Sequence, residues 1–184
     1  MSYKNENMKM IELHENGLDI QFRIRENGVV ELADFSSQEV KKAVMEPKED
    51  ICYPAVEIHR SGTGSLNMHA YKNNINQSSV DFVYENHELK AQDGGKELEI
   101  VMVSPEKLKA VYHMRLFDGV PAVQTWTEII NEGSEDQGLT YVSSFMYQGI
   151  SRGGEKLIIK KQISMCRLTA GAVRHSGRNT MQKR

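Results

Sequence analysis

The chain has few of the residues on which several common architectures depend. Its 184 residues include only two cysteines, Cys52 and Cys166, four prolines and a single tryptophan, Trp126. Two distant cysteines, neither in a CxxC motif, exclude a disulfide framework and do not predict a zinc site. We therefore expect a cytoplasmic location, no bound metal and no cofactor. The polar start MSYKNENMKM does not have the apolar segment of a secretory signal.

The chain also lacks long apolar runs and an excess of positive charge. No stretch approaches the roughly 20 apolar residues of a membrane-spanning helix. Its 23 basic and 25 acidic residues give a net charge of -2, which argues against the basic surface of a nucleic-acid binder. It does not favour an anionic membrane surface either. With 39% hydrophobic and 26% charged residues, the composition fits one domain with a core, or a large fragment.

Alternation of apolar and polar residues with a period of two dominates the chain. Residues 18–25, LDIQFRIR, alternate and have an Asn-Gly pair on either side. Alternation indicates a half-buried strand, and Asn-Gly favours tight hairpin turns. The pattern predicts a three-stranded meander over residues 8–14, 18–25 and 29–35.

A second group of segments is β-favouring and separated by turn residues such as Asp-Gly-Gly and Asn-Glu-Gly. Many short strands joined by such turns predict an all-β sandwich of antiparallel strands. Residues 61–76 are predicted to form a surface loop, and a helical turn or two is predicted to begin near Ser36. The predicted strands are residues 55–60, 80–84, 87–92, 98–103, 108–116, 122–130 and 140–147.

No catalytic motif stands out in the sequence. The chain has no GxSxG nucleophile elbow, and the glycines around Thr63 lack the lysine of a phosphate-binding loop. The alternation around Trp126 favours a place in the core, and a sugar-stacking role would require it to face solvent. Tyr141, Phe145 and Tyr147 are likewise predicted to be core or intersheet residues.

Glu57 and His59 lie two residues apart on one predicted strand, so their side chains share a face. A partly exposed strand surface is the ordinary interpretation. An alternative is a sugar epimerase that uses Glu57 or Glu128 with His59 or His113, although the spacing of these residues is not specific.

Two segments resemble a known family. Residues 111–150 read VYHMRLFDGVPAVQTWTEIINEGSEDQGLTYVSSFMYQGI, and residues 53–58 read YPAVEI. The first resembles the "YDGVPAVRSWTEVENxG" hairpin and the following "L-x-Y-V-S-S-F" strand of bacterial α-galactosidases of glycoside hydrolase family 36. The second is similar to the "PxVEV" strand of that family. The resemblance covers about residues 18–154 and consists of β-hairpin motifs, not catalytic ones.

The resemblance implies a galactose-mutarotase-like β-supersandwich. In the family this N-terminal domain precedes a (β/α)₈ barrel that contains both catalytic aspartates, and the enzyme hydrolyses terminal α-D-galactosides with retention. The resemblance thus implies an α-galactoside as partner of the parent enzyme. It assigns no catalytic residue to this chain, which we expect to be inactive alone. The segment after the "PxVEV" strand contains only His69, whereas the family often has a His- and Asp-rich segment there.

The resemblance also divides the chain into a β-domain, residues 1–154, and an irregular basic tail, residues 155–184. The tail lacks the "VPxNSW" and "GEAQW" motifs with which family members continue. Codons chosen for this tail can encode both motifs when they are read one nucleotide back. We therefore interpret the chain as truncated, with a frameshift beside the codons of Lys160 and Lys161.

A second interpretation is a free-standing carbohydrate-binding or oligomerisation module. Such a module would need exposed groups that contact sugar, for which Trp126, His69 and Tyr71 are the candidates, with Tyr147 after them. A homo-oligomer could form through the surface that faces the barrel in the parent.

Overall fold

The computed structural model describes residues 9–37, 53–64 and 77–147. These residues form antiparallel β-sheets and one short helical turn, which confirms the predicted all-β fold. No helix in these three ranges has the length and apolarity needed to cross a bilayer. The elements are β1 Lys9–Glu15, β2 Leu18–Ile24, β3 Val30–Ser37, β4 Ile58–Arg60, α1 Gln77–Val80, β5 Val83–Gln92, β6 Gly95–Val103, β7 Leu108–Phe117, β8 Val120–Asn131 and β9 Leu139–Val142.

The first sheet is the predicted three-stranded meander, in the order β1-β2-β3. The β1–β2 turn places Asn16 and Gly17 at φ values of 51° and 82°, the left-handed conformation that an Asn-Gly hairpin turn requires. A bulge between Gln21 and Phe22 shifts the pairing of β2 with β3. The period of two therefore predicted this sheet and its order.

The second sheet is a four-stranded meander in the order β5-β6-β7-β8. The sequence predicted two strands where the structure has the single strand β5, and it wrongly included Val80, which ends α1. The polar residues between the two predicted strands do not form a turn. They form a bulge between Tyr84 and Asn86, across which pairing with β6 continues.

A third sheet pairs β4 with β9, and both strands are shorter than predicted. The backbone N–H of Glu57 donates to the hydroxyl of Ser143 at 2.7 Å, while the N–H of Ser143 donates to the carbonyl of Glu57 at 2.8 Å. Because a side chain replaces one carbonyl in this pair, the regular ladder ends there. Residues 55–57 are nevertheless buried, as residues of a core strand would be.

The two meanders pack against each other around one hydrophobic core. Phe22 of the first and Tyr112 of the second meet edge to face with ring centroids 5.6 Å apart, and neither is exposed by more than 1%. At the rim, the N–H of Tyr84 donates to the carbonyl of Gly28 at 2.8 Å. The largest fully buried side chains are Tyr112, Phe22, Phe82, Ile20, Ile58, Leu98, Ile100, Leu108, Met114, Leu116, Val29 and Val30.

Several predicted features fall outside the described residues. They include the basic tail, residues 65–76 of the predicted loop, and most of the helical turn that was to begin near Ser36. Ser36 itself lies in β3. Residues 61–64 form a turn and an irregular segment, as predicted for that part of the loop.

Candidate functional site

The outer face of the second meander, opposite the core, brings several polar side chains together. Strands β6, β7 and β8 pair so that Glu99 lies opposite His113 and His113 lies opposite Trp126. Directly paired residues present their side chains on the same face of an antiparallel sheet. The adjacent positions Leu98 and Met114 are fully buried in the core, so alternation leaves the row of His113 on the outer face.

The imidazole of His113 lies among three carboxylates. Its Nδ1 is 2.9 Å from Glu97 Oε1 and 4.0 Å from Glu99 Oε1, and its Nε2 is 3.9 Å from Glu128 Oε2. His113 is only 8% exposed. Its Nε2 is buried and has no hydrogen-bond partner among the described residues. The ring is thus hydrogen-bonded on one side only.

Trp126 covers the imidazole of His113. The two rings are stacked, with centroids 4.7 Å apart and planes 5° from parallel. Trp126 is half-buried by this contact and does not belong to the hydrophobic core, so the predicted core position was wrong. The reason is the register of β8. The two residues that flank Trp126 in sequence face the core, so the indole faces outward beside His113.

Neighbouring side chains hold two of these carboxylates, those of Glu97 and Glu99, in place. Gln92 Nε2 donates to Glu97 Oε2 at 2.7 Å, and Lys90 Nζ donates to Glu99 Oε2 at 2.5 Å. The hydrogen bond to Glu99 is the largest cause of a raised pKa at Lys90. Each carboxylate therefore has one oxygen engaged by a neighbouring side chain and the other nearer to Nδ1 of His113.

A second acid–histidine pair lies on the short sheet. His59 Nε2 is 2.9 Å from Glu57 Oε1, as the predicted shared face of these residues implies. The ring of Tyr141 lies against His59 with centroids 5.1 Å apart. Tyr141 is 47% exposed, so its predicted core or intersheet position was wrong. Glu57, in contrast, is buried.

The other predicted sugar contacts are only partly described. His69 and Tyr71 lie outside the described residues. Tyr147 is half-buried, and its hydroxyl donates to Asp34 Oδ1 at 3.3 Å. Tyr147 and Phe145 both pack against the hydrophobic core, which confirms the position predicted for them.

Sequence reasoning missed Glu97 and Glu99 as companions of His113. They lie 16 and 14 positions before it, and only the β6–β7 register brings them beside it. The available signal was the alternation Glu97-Leu98-Glu99-Ile100, which places both acids on one face of a strand. The pairing partner of that face could not be read from spacing.

The site combines a buried imidazole, nearby carboxylates and an aromatic ring. Such a set can accept a proton or hold a cation. It offers little room for a sugar at the imidazole itself, because His113 is buried beneath Trp126. The geometry therefore favours cation binding over acid–base catalysis at His113.

The chain matches no protein-family model and no curated protein. Among solved structures it is similar to the crystal structure of the GH36 α-galactosidase AgaA from Geobacillus stearothermophilus, with a TM-score of 0.48, 13% identity and 69% of this chain covered. A doubly substituted variant of that enzyme in complex with raffinose gives a TM-score of 0.45, 11% identity and 68% coverage. The chain spans 23% and 22% of the lengths of these two solved chains.

Proposed function

We propose that residues 1–154 are the counterpart of the N-terminal, non-catalytic β-domain of a glycoside hydrolase family 36 α-galactosidase. The parent enzyme would hydrolyse terminal α-D-galactosides with retention of configuration. The domain would be a galactose-mutarotase-like supersandwich and would act in the cytoplasm, as the two widely spaced cysteines favour. The observation that carries the proposal is the family-like segment over residues 111–150.

The described part of that segment forms a hairpin, which supports the proposal. Strands β7 and β8 flank the Asp-Gly of the motif, and Gly119 takes a φ of 69°. The N–H of Gly119 donates to Asn16 Oδ1 at 3.0 Å, and the N–H of Asp118 donates to the carbonyl of Gly94 at 3.1 Å. The hairpin tip is thus attached to the turns of both meanders, which gives the motif a structural role.

A structural role also fits the burial of the two acid–histidine pairs, Glu57–His59 and Glu97–His113. Glu57 and His113, one member of each pair, are both buried. A general acid or base must come within hydrogen-bond reach of a substrate. Neither pair presents both of its groups to solvent, so we propose no catalytic role for either.

The nucleotide sequence of the gene tests two proposals together: the relation to α-galactosidases and the origin of the basic tail, residues 155–184. We propose that a frameshift beside the codons of Lys160 and Lys161 replaced the original continuation. Sequencing of the coding locus should then show the "VPxNSW" and "GEAQW" motifs in the frame shifted back by one nucleotide, followed by codons for a barrel. A shifted frame that encodes neither motif would contradict the proposal.

The second candidate function is a carbohydrate-binding module, which the half-buried position of Trp126 on an outer face favours. Because Trp126 is the only tryptophan, its fluorescence reports directly on ligand stacking. Titration with galactose and with raffinose should leave the emission unchanged if the domain is structural. A saturable change that is absent with a non-galactosyl disaccharide would favour the binding module.

A further inference from the structure

We propose that Glu97, Glu99 and His113 form a binding site for a divalent transition-metal ion of the Zn²⁺ class. The ligand atoms would be one carboxylate oxygen from each glutamate and Nδ1 of the imidazole. These three atoms all lie within 4.8 Å of one another. This proposal does not depend on the proposed relation to α-galactosidases, and either of the two can fail without the other.

The first argument is geometric convergence. Glu97 Oε1 and Glu99 Oε1 lie 2.9 and 4.0 Å from Nδ1 of His113. An ion with ligand distances of roughly 2.0–2.2 Å fits among atoms spaced in this way after small side-chain adjustments. The three ligands come from two adjacent, paired strands, so the sheet fixes their relative positions.

The second argument is charge. Glu97 is only 7% exposed, and a buried carboxylate is costly unless a positive group compensates it. Arg115 lies opposite Glu97 in the strand register, but its guanidinium donates to the carbonyl of Asp93 at 3.0 Å. The Glu97 carboxylate is hydrogen-bonded to Gln92 and His113. A bound dication would supply the missing charge.

The third argument is the orphaned nitrogen of His113. Its buried Nε2 has no hydrogen-bond partner among the described residues, and Glu128 Oε2 lies 3.9 Å from it. When a metal binds one imidazole nitrogen, the other commonly donates its N–H to a carboxylate. Glu128 is half-exposed and can close this distance by a side-chain rotation. Nε2–H of His113 then donates to Glu128, which becomes the outer partner that fixes the tautomer of the imidazole.

Hydrogen bonds from neighbouring side chains orient the two glutamates for an ion. Gln92 holds Glu97 Oε2 and Lys90 holds Glu99 Oε2, which leaves each Oε1 to the ion. Mixed imidazole and carboxylate ligands suit first-row transition metals, whereas Mg²⁺ prefers an all-oxygen octahedron. The donor set therefore selects the Zn²⁺ class over Mg²⁺.

Trp126 fluorescence provides a local readout, because the indole stacks on the proposed ligand His113. The untagged, EDTA-dialysed chain is titrated at neutral pH with Zn²⁺ and with paramagnetic Co²⁺, and Zn²⁺ stoichiometry is measured by calorimetry. We expect one Zn²⁺ per chain, strong quenching by Co²⁺ and no response to Mg²⁺. Glu97→Gln and His113→Gln should each weaken Zn²⁺ binding by roughly tenfold or more.

Two matched variants control for adventitious binding. Glu12→Gln makes the same charge change at an exposed side chain on β1, in the other meander, and His59→Gln disrupts the other acid–histidine pair. Both should bind Zn²⁺ as the unaltered chain does. If Glu97→Gln fails to fold, as judged by circular dichroism, Glu99→Gln at the more exposed ligand replaces it.

The outcomes separate the metal site from a simple hydrogen-bonded pair of His113 and Glu97. Loss of Zn²⁺ binding in the site variants but not in the controls would support the metal site. Absence of Co²⁺ quenching in the unaltered chain would overturn it. Equal Zn²⁺ affinity in Glu97→Gln, His113→Gln and the unaltered chain would overturn it as well.

Discussion

The indole of Trp126 lies flat on the imidazole of His113, with 4.7 Å between ring centroids and 5° between ring planes. This contact joins β7 to β8 on the outer face and shields the imidazole from water. It also makes the only tryptophan a reporter of the candidate site.

Removal of the imidazole should expose the indole. His113→Ala is expected to shift Trp126 emission to longer wavelength and to increase its quenching by acrylamide. It should also lower the free energy of unfolding by about 1 kcal/mol, the size of an aromatic stacking contact. His87→Ala, which alters a ring beside Tyr84 instead, is the control. An unchanged emission spectrum in His113→Ala would contradict the stacked geometry.

The packing of the two meanders depends on Phe22. Its side chain is 0% exposed and meets Tyr112 edge to face. Phe22→Ala should therefore lower the free energy of unfolding by roughly 3–5 kcal/mol, as measured by urea denaturation. Leu89→Ala, at a side chain that is 43% exposed, should change it by less than about 0.5 kcal/mol. Similar effects of the two substitutions would argue against a shared core.

The β5–β6 turn contains two glycines with different constraints. A Cβ on Gly95 would lie 1.9 Å from the carbonyl oxygen of Leu116, whereas one on Gly94 would meet no described atom within 4 Å. Gly95→Ala should therefore destabilise the domain by about 3 kcal/mol through backbone displacement. Gly94→Ala should cost about 1 kcal/mol, because Gly94 has a φ of 72°. The reverse order in thermal unfolding would contradict the β6–β7 register.

Two exposed histidines should have pKa values that are shifted in opposite directions from the usual 6.5. The hydrogen bond to Asp19 raises the pKa of His14, while desolvation and then the charge of Lys9 lower the pKa of His87. NMR titration should find His14 deprotonating at the higher pH. Asp19→Asn should lower the pKa of His14 and leave that of His87 unchanged.

The sign of each effect on stability follows from these directions. The raised pKa of His14 contributes stability that is fully present below pH 6.5 and is lost as the pH rises through the folded-state pKa. The lowered pKa of His87 contributes stability above pH 6.5 that is lost as the pH falls through its folded-state pKa. A folded-state titration of His87 above that of His14 would contradict both assignments.

The sequence predicted the meanders better than it predicted the site. Alternation and Asn-Gly turns located β1 to β3, because both signals are local. The same signals misplaced Trp126, since alternation gives two faces but does not say which one is buried. Glu97 and Glu99 join His113 through strand pairing, a non-local relationship that spacing alone does not encode.

Glu57 and His59 show the opposite case. Their contact follows from two positions on one strand, and the structure confirms it at 2.9 Å. The exposure of Tyr141 beside them was not predictable in this way. Its strand pairs with β4, and the burial of a residue there depends on which face of that short sheet the rest of the chain covers.

The central claim is the proposal that residues 1–154 are a non-catalytic β-domain, and an assay with p-nitrophenyl α-D-galactoside tests it most directly. The purified chain is incubated with substrate beside Glu57→Gln and Glu128→Gln variants, and release of p-nitrophenolate is followed. We predict no release above the buffer control for any of the three proteins. Saturable release by the unaltered chain that is lost in either variant would contradict the claim.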